Sequence, residues 1–450
     1  EQAASVAPTA APTDEPRAAP IDPTPKPTSE AEDVPTPVEA TAPVVAPSPT
    51  PAAARPSPTR TAEDSAFDEI AQEAARLRGL RIRSEIEEDY LSREQLRERL
   101  EKQIEEDLKP GDIEADERLL QIFGLAPEGL DLQELYVDLY SGQISGLYDP
   151  ETESINVVSS GRKLNALGEL TYAHEVTHAL QDQHYDLEKL YDRAEKQNDD
   201  ALLAVQSLVE GDATVLSYGD YLRANPELSS KIQDALAEEQ AAAQLPPNVP
   251  PIIQETLAFP YDEGAIFVVT VRGGLGSDWD QVDAAYKDPP TSTEQILHPE
   301  EKYLQRDEPI AVKPPDLGPA LGSGWKKLEE NLFGEFQTRV LLEGELDSED
   351  AEAAAAGWDG DGFALWSTGE QGLVAWQSVW DSTDDAEQFA AALREYDGAR
   401  FDAQYEEQDG QYSLSTGEQV ALIRQDGERV HYVLAPTEDL ATKALATLVK

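Results

Sequence analysis

Two histidines four residues apart, with a glutamate after the first, form the most chemically pointed arrangement in the chain: His174-Glu175-Val176-Thr177-His178. On a helix, positions i and i+4 share one face, one turn apart. Two neutral imidazoles so placed can hold one Zn²⁺, each nitrogen at about 2.0–2.1 Å. A metal with an open position lowers the pKa of a bound water to about 7. Glu175 flanks that position, where it can take the water's proton and later pass it to a leaving amine. Histidine is scarce, with five in the chain, and His174, His178 and His184 cluster within one short stretch.

The residues leave the third ligand open. Glu210, in Leu208-Val209-Glu210-Gly211-Asp212-Ala213-Thr214, sits in a helical pattern with Leu203, Val209, Ala213 and Leu216. A carboxylate among apolar neighbours needs a partner, and a metal is a strong one. Gly211 lets another segment approach closely. Asp212 is an alternative ligand, and also a group that could fix a histidine tautomer through the second ring nitrogen. Asp182, four residues after His178, is another group for that task. His184 is the remaining alternative, but an unbroken helix places it about 240° around from His178, facing away.

His174-Glu175-Val176-Thr177-His178-Ala179-Leu180 resembles the active-site helix of zincin metallopeptidases, gluzincins especially. With the adjoining hairpin and the next helix, the resemblance spans about residues 140 to 225. It implies a zincin-like core, one catalytic Zn²⁺ held by His174, His178 and a Glu on a following helix (Glu210), and hydrolysis of protein or peptide substrates with Glu175 as general base. It also implies a sheet whose edge strand aligns the substrate, here Ile155 to Ser159. Thermolysin-like enzymes carry an Asp four residues after the ligand Glu, where this chain has Thr214. Metzincins have Gly where this chain has Gln181, and a Met-turn under the metal, whereas this chain has no Met.

Peptide hydrolysis also requires a donor for the developing oxyanion. His298, in a proline-flanked segment, is the first choice for that catalytic role, with Tyr261 and Tyr286 as alternatives. Two other functions fit the sequence: a non-peptidase zinc hydrolase, and a catalytically silent cell-surface binding module. Glu175 separates them, because a structural zinc site closed by four ligands has no use for it.

The elements that position these residues read as α+β. Helices are expected at 91–108, 113–123 and 131–140. A hairpin follows, with strands 143–148 and 154–159 around the turn signal Asp149-Pro150. Helices are then expected at 164–183, 199–223, 228–244, 253–271 and 279–286, before an irregular segment at 288–319. The last third reads as a helix over 325–342, a helix over 348–356, strands 362–367 and 372–380, a helix over 384–396, strands 419–424 and 429–435, and a terminal helix. Trp358-Asp359-Gly360-Asp361-Gly362 has a Ca²⁺-loop flavour but lacks the ligand spacing and closing Glu. It reads as a tight turn between helix and strand, with Ca²⁺ an unsupported alternative. Trp366, Trp376 and Trp380 are expected to pack the last sheet.

Residues 1–62 hold 15 of the 32 prolines and show no apolar period. They read as an extended stalk or linker. A zincin-like region is expected over 63–320 and an α+β region over 321–450. Lys plus Arg is 35 and Asp plus Glu is 90, so the net charge is −55. Such a chain is repelled by nucleic acid and by anionic membrane surfaces. With no Cys there is no disulfide framework. No apolar run is long enough to span a bilayer. The stalk composition points to an exported, extracellular or cell-envelope protein.

Overall fold

A computed structural model describes residues 62–107, 110–127, 129–143, 146–158, 164–232, 249–314 and 316–449. The expected stalk, and the expected 228–244 helix beyond residue 232, lie outside them. The chain is α+β. Helix α1 (Ala62–Arg78), strand β1 (Glu87–Leu91) and helices α2 (Arg93–Asp107), α3 (Pro110–Phe123) and α4 (Leu132–Gln143) come first. Strands β2 (Gly146–Asp149) and β3 (Ser154–Val158) follow, then helices α5 (Ala166–Tyr185), α6 (Leu187–Glu195) and α7 (Asp199–Thr214).

Local chemistry sets the ends of the helices around the site. Asn165 accepts the Gly168 N–H and starts α5. Asp186, in the left-handed region at φ 60°, ends α5, and its side chain accepts the Lys189 N–H to start α6. Asn198 caps α7 through the Ala201 N–H. These caps each contribute about 1 kcal/mol. Packing contributes more, since each buried Leu, Val or Phe is worth about 1.5–3 kcal/mol. Leu170, Ala173, Val176 and Leu180 of α5 share a core with Val205, Leu208 and Val209 of α7 and with Phe267 and Val268 of the Pro251–Arg272 helix.

At the crossing of α7 with the Pro251–Arg272 helix, two glycines meet. A Cβ on Gly211 would lie 2.1 Å from the Gly264 carbonyl oxygen, and one on Gly264 would lie 2.2 Å from the Ser207 oxygen. The backbones therefore touch where the residue before Gly211 is Glu210. Pro260, inside the same helix, removes one ladder hydrogen bond just before Tyr261. Beyond Thr214 the α7 helix widens into a π-helical stretch, Val215–Tyr221.

The first sheet has order β1-β3-β2, with β1 parallel and β2 antiparallel to β3. This corrects two expectations. β3 is the central strand and not an edge, because Glu87–Leu91 pairs along it. Gln143 belongs to α4, so the hairpin's first strand starts at Gly146. The second sheet joins β4 (Lys326–Asn331), β5 (Trp358–Ser367), β6 (Gly372–Trp380), β7 (Glu406–Gln408), β8 (Gln411–Ser415), β9 (Val420–Asp426) and β10 (Arg429–Ala435) in the order β4-β5-β6-β10-β9-β8-β7. Residues 326–331 are thus an edge strand where a helix is expected, and that helix shrinks to Gly334–Glu343. The sequence Trp358 to Gly362 runs within β5, with a bulge between Trp358 and Gly360, so it is no turn.

Trp376 and Trp380 fill one face of this sheet and Trp366 the other. Ala115, Ile122 and Phe123 of α3 are buried in the same core as Trp376. The boundary expected near residue 320 is therefore bridged by packing, and Thr59–Lys450 is one unit by its internal contacts.

Candidate metal centre

α5 and α7 bring His174, His178 and Glu210 together. The two Nε2 atoms are 3.0 Å apart, and Glu210 Oε2 lies 3.1 Å from that of His174 and 3.2 Å from that of His178. The imidazole rings meet edge to face, at 84°. Three lone-pair atoms this close repel unless a cation lies among them. Ligands about 2.0–2.1 Å from a tetrahedral ion are about 3.3 Å apart, close to the spacing observed. One proton satisfies one of the three contacts, whereas a divalent metal ion satisfies them all. The donor set therefore fits a metal.

The electrostatics run the same way. Burial pulls the His178 imidazole down, but the charge and hydrogen bond of Glu210 more than offset it, and His178 rises to about 9. Burial pushes Glu210 up, yet the two histidines hold its carboxyl well below the usual carboxylate range. The side chains of His174 and Glu210 keep 12% and 21% of their surface exposed, so the group opens to solvent on one side. A ligand can reach it there.

Glu175 points to the neighbouring sheet. Its Oε2 accepts the backbone N–H of Tyr148 at 2.8 Å. That N–H faces away from β3, so the outer edge of β2 runs past Glu175. Gly146 permits the approach, since a Cβ there would meet the Glu175 and Thr171 side chains at 3.2 Å. The strand beside the site is therefore β2.

The other expected residues are placed as follows. His184 bonds the Arg81 carbonyl at 2.9 Å, away from the three ligand candidates. Asp212 is buried and takes no part in the metal group. It accepts from Arg78 Nε at 2.7 Å, Gln181 Nε2 at 3.1 Å and the Tyr286 hydroxyl at 2.8 Å. Asp182 accepts the Tyr148 hydroxyl and the Leu187 N–H, so neither Asp touches a histidine. Tyr286 spends its hydroxyl on Asp212 inside the core, which removes it as an oxyanion donor. His298 pairs with Glu335 at 2.8 Å, on the Gly334–Glu343 helix and not within the metal group. Tyr261 is an aromatic at the site: its ring stacks against His174, centroids 6.1 Å apart at 26°, and the residue is 45% exposed.

Three contributors were not anticipated. Gln181 Oε1 lies 2.8 Å from His178 Nδ1, and its i+3 spacing from His178 was a usable signal. Arg78, wholly buried, comes from α1, with nothing local to mark it. Tyr191 of α6 feels the Glu210 charge, and its phenol is pushed up by burial first and by Glu210 second.

Residues 325–444 match a domain of unknown function (DUF8575). The match covers the second sheet and none of the metal group. No curated protein and no solved structure is detectably similar to the chain.

Proposed function

We propose that this protein is a zinc-dependent metallopeptidase with a zincin-like core, His174, His178 and Glu210 holding the metal. The observation that carries the reading is the convergence of three lone-pair atoms within 3.0–3.2 Å, beside a glutamate anchored to a strand edge. When bound, the zinc ion acts as a Lewis acid toward a carbonyl oxygen and acidifies water.

The chain's own residues supply the rest. Glu175 is aimed by the Tyr148 N–H, which occupies Oε2 and leaves Oε1 for proton transfer. It takes the proton of the attacking water and delivers it to the leaving amine. An extended peptide adds along the outer edge of β2, beside the Tyr148 N–H that Glu175 occupies. Tyr261, over His174 and open to solvent, is the better-placed donor to a developing oxyanion, in preference to His298, whose Nε2 is engaged by Glu335. Substrate is thus a protein or peptide. Among the described residues no helix is long and apolar enough to cross a membrane. An extracellular or cell-envelope setting rests on the composition of residues 1–62.

The test is zinc content and casein hydrolysis for wild type and Glu175→Gln, each with and without a chelator. Glutamine keeps the acceptor for Tyr148 but not the base. The expected result is one zinc per chain in both, with activity lowered about 10²–10⁴-fold in the variant. Equal activity in the two proteins would remove Glu175 from the chemistry. A zinc-loaded wild type inert on every peptide offered favours the non-peptidase hydrolase.

A further inference from the structure

The residues behind the metal group determine which nitrogen of His178 carries a proton. Gln181 is wholly buried. Its amide has one end near the Val209 carbonyl oxygen, at 3.0 Å, and Asp212 Oδ2, at 3.1 Å. Both of these are acceptors only, so the NH₂ must face them and the carbonyl oxygen must face His178 Nδ1 at 2.8 Å. The amide orientation is thereby set by its surroundings. An amide oxygen cannot donate, so Nδ1 must carry hydrogen. The neutral ring then has its lone pair on Nε2, the atom facing His174 and Glu210.

The chain of contacts continues. Asp212 holds the Gln181 amide and is itself held by Arg78 Nε through its other oxygen, with the Tyr286 hydroxyl as a third donor. Arg78 also reaches Asp283 at 2.8 Å and lies 4.4 Å from the Trp279 ring centroid. Burial disfavours the guanidinium's charge, and Asp212 with Asp283 more than offsets that. An ion pair this deep is a poor source of net stability against an apolar replacement of similar shape. What it supplies is a fixed carboxylate behind a neutral amide.

We infer that Gln181 is a positioning residue for the metal, holding His178 in the Nδ1–H form with Nε2 free to ligate, and that Asp212 and Arg78 hold Gln181 in turn. The inference rests on the metal-site reading above. It makes α1, which carries Arg78, a part of the metal centre and not a removable cover. The amide also explains why a glutamine occupies the helix position where a direct carboxylate partner would be simplest. A carboxylate at 181 would face the Asp212 carboxylate and the Val209 oxygen with no hydrogen to offer either.

The test uses the full chain and zinc alone. Gln181→Met fills the space and removes both ends of the amide. Its zinc affinity is expected to fall about 10–100-fold, the usual cost of losing an outer partner of a metal-binding histidine. In ¹⁵N-histidine spectra of the chelated protein recorded above about pH 9, where the His178 ring is neutral, its Nδ1–H signature is expected to give way to a mixture of tautomers. Gln181→Glu is expected to weaken zinc binding similarly, and adding Asp212→Asn to it to restore affinity to within a few-fold. That exchange returns a donor–acceptor match between the two side chains, an outcome that follows from positioning and not from packing.

If Gln181→Met binds zinc as tightly as wild type, or the spectra above about pH 9 show the neutral His178 of wild type with its proton on Nε2, the inference is wrong. Should the methionine variant not fold, the Glu/Asn exchange decides alone: failure to recover affinity in a folded protein overturns it. A wild type that binds no zinc overturns the metal site itself, a separate result.

Discussion

Glu210 and Asp361 are both carboxylates set among apolar side chains, one in the helical region and one in the second sheet, and they meet opposite surroundings. Asp361 is surrounded by donors. It accepts from the Phe333 and Gly334 backbone N–H groups and from the indole N–H groups of Trp358 and Trp376, at 2.8–3.2 Å. Glu210 faces two imidazole nitrogens, at 3.1 and 3.2 Å. The first arrangement is complete as it stands and holds β5 against the start of the Gly334–Glu343 helix. The second, on the proposed reading, is completed by a metal ion. A buried acid in a sequence therefore means little by itself; the count of donors around it separates a structural site from a metal site.

Exchanging the two roles gives the largest expected effect. Asp361→Ala strands four buried donors, each worth about 1–3 kcal/mol. The variant should lose at least about 3 kcal/mol in denaturant unfolding while its folded fraction binds zinc as wild type does. Glu210→Gln should do the reverse. Above about pH 9, where the His178–Glu210 pair no longer contributes, unfolding of the chelated protein should change little, while zinc affinity falls by more than the roughly 100-fold typical of an outer partner. If Asp361→Ala lowered zinc affinity as much as Glu210→Gln did, the separation of roles would fail.

The pH dependence sharpens the comparison at smaller scale. In the chelated protein Glu210 raises His178 to about 9, against about 6.5 for an unfolded histidine. A group raised on folding gives stability that is fully present below about 6.5 and is lost as pH climbs through about 9. Chelated wild type should therefore melt lower at pH 9 than at pH 6.5, and Glu210→Gln should flatten that slope. Zinc should also flatten it, since the metal takes the place of the proton. A slope that persists unchanged in Glu210→Gln would assign it to other groups.

The three residues of the proposed metal group were legible because their signals are local. His174 and His178 are one turn apart, and Glu210 interrupts an apolar helix pattern beside a glycine that makes a backbone contact. The pieces that were not legible depend on distant partners. β1 reads Glu-Glu-Asp-Tyr-Leu, a charged stretch that becomes a strand only because Ser154 to Val158 lies beside it. Missing it made β3 look like an edge. β4 is a polar edge strand with the composition of a surface helix. Gln181 is readable as the residue that lets α5 run on to Tyr185, but its hold on His178 needs Val209 and Asp212 from α7 to orient the amide. Arg78 is separated from Asp212 by 134 positions, and no periodicity links them. His298 drew first notice as a histidine in an irregular segment, whereas Tyr261, named second and set just after Pro260 in a helix, is the residue over His174.

X-ray absorption at the zinc edge on the full chain tests the central claim most directly. The account predicts one zinc per chain, with two imidazole nitrogens at about 2.0–2.1 Å and carboxylate oxygen at about 2.0–2.2 Å, and the loss of this signal in His174→Ala. Zinc absent from wild type, or bound without histidine, would contradict it.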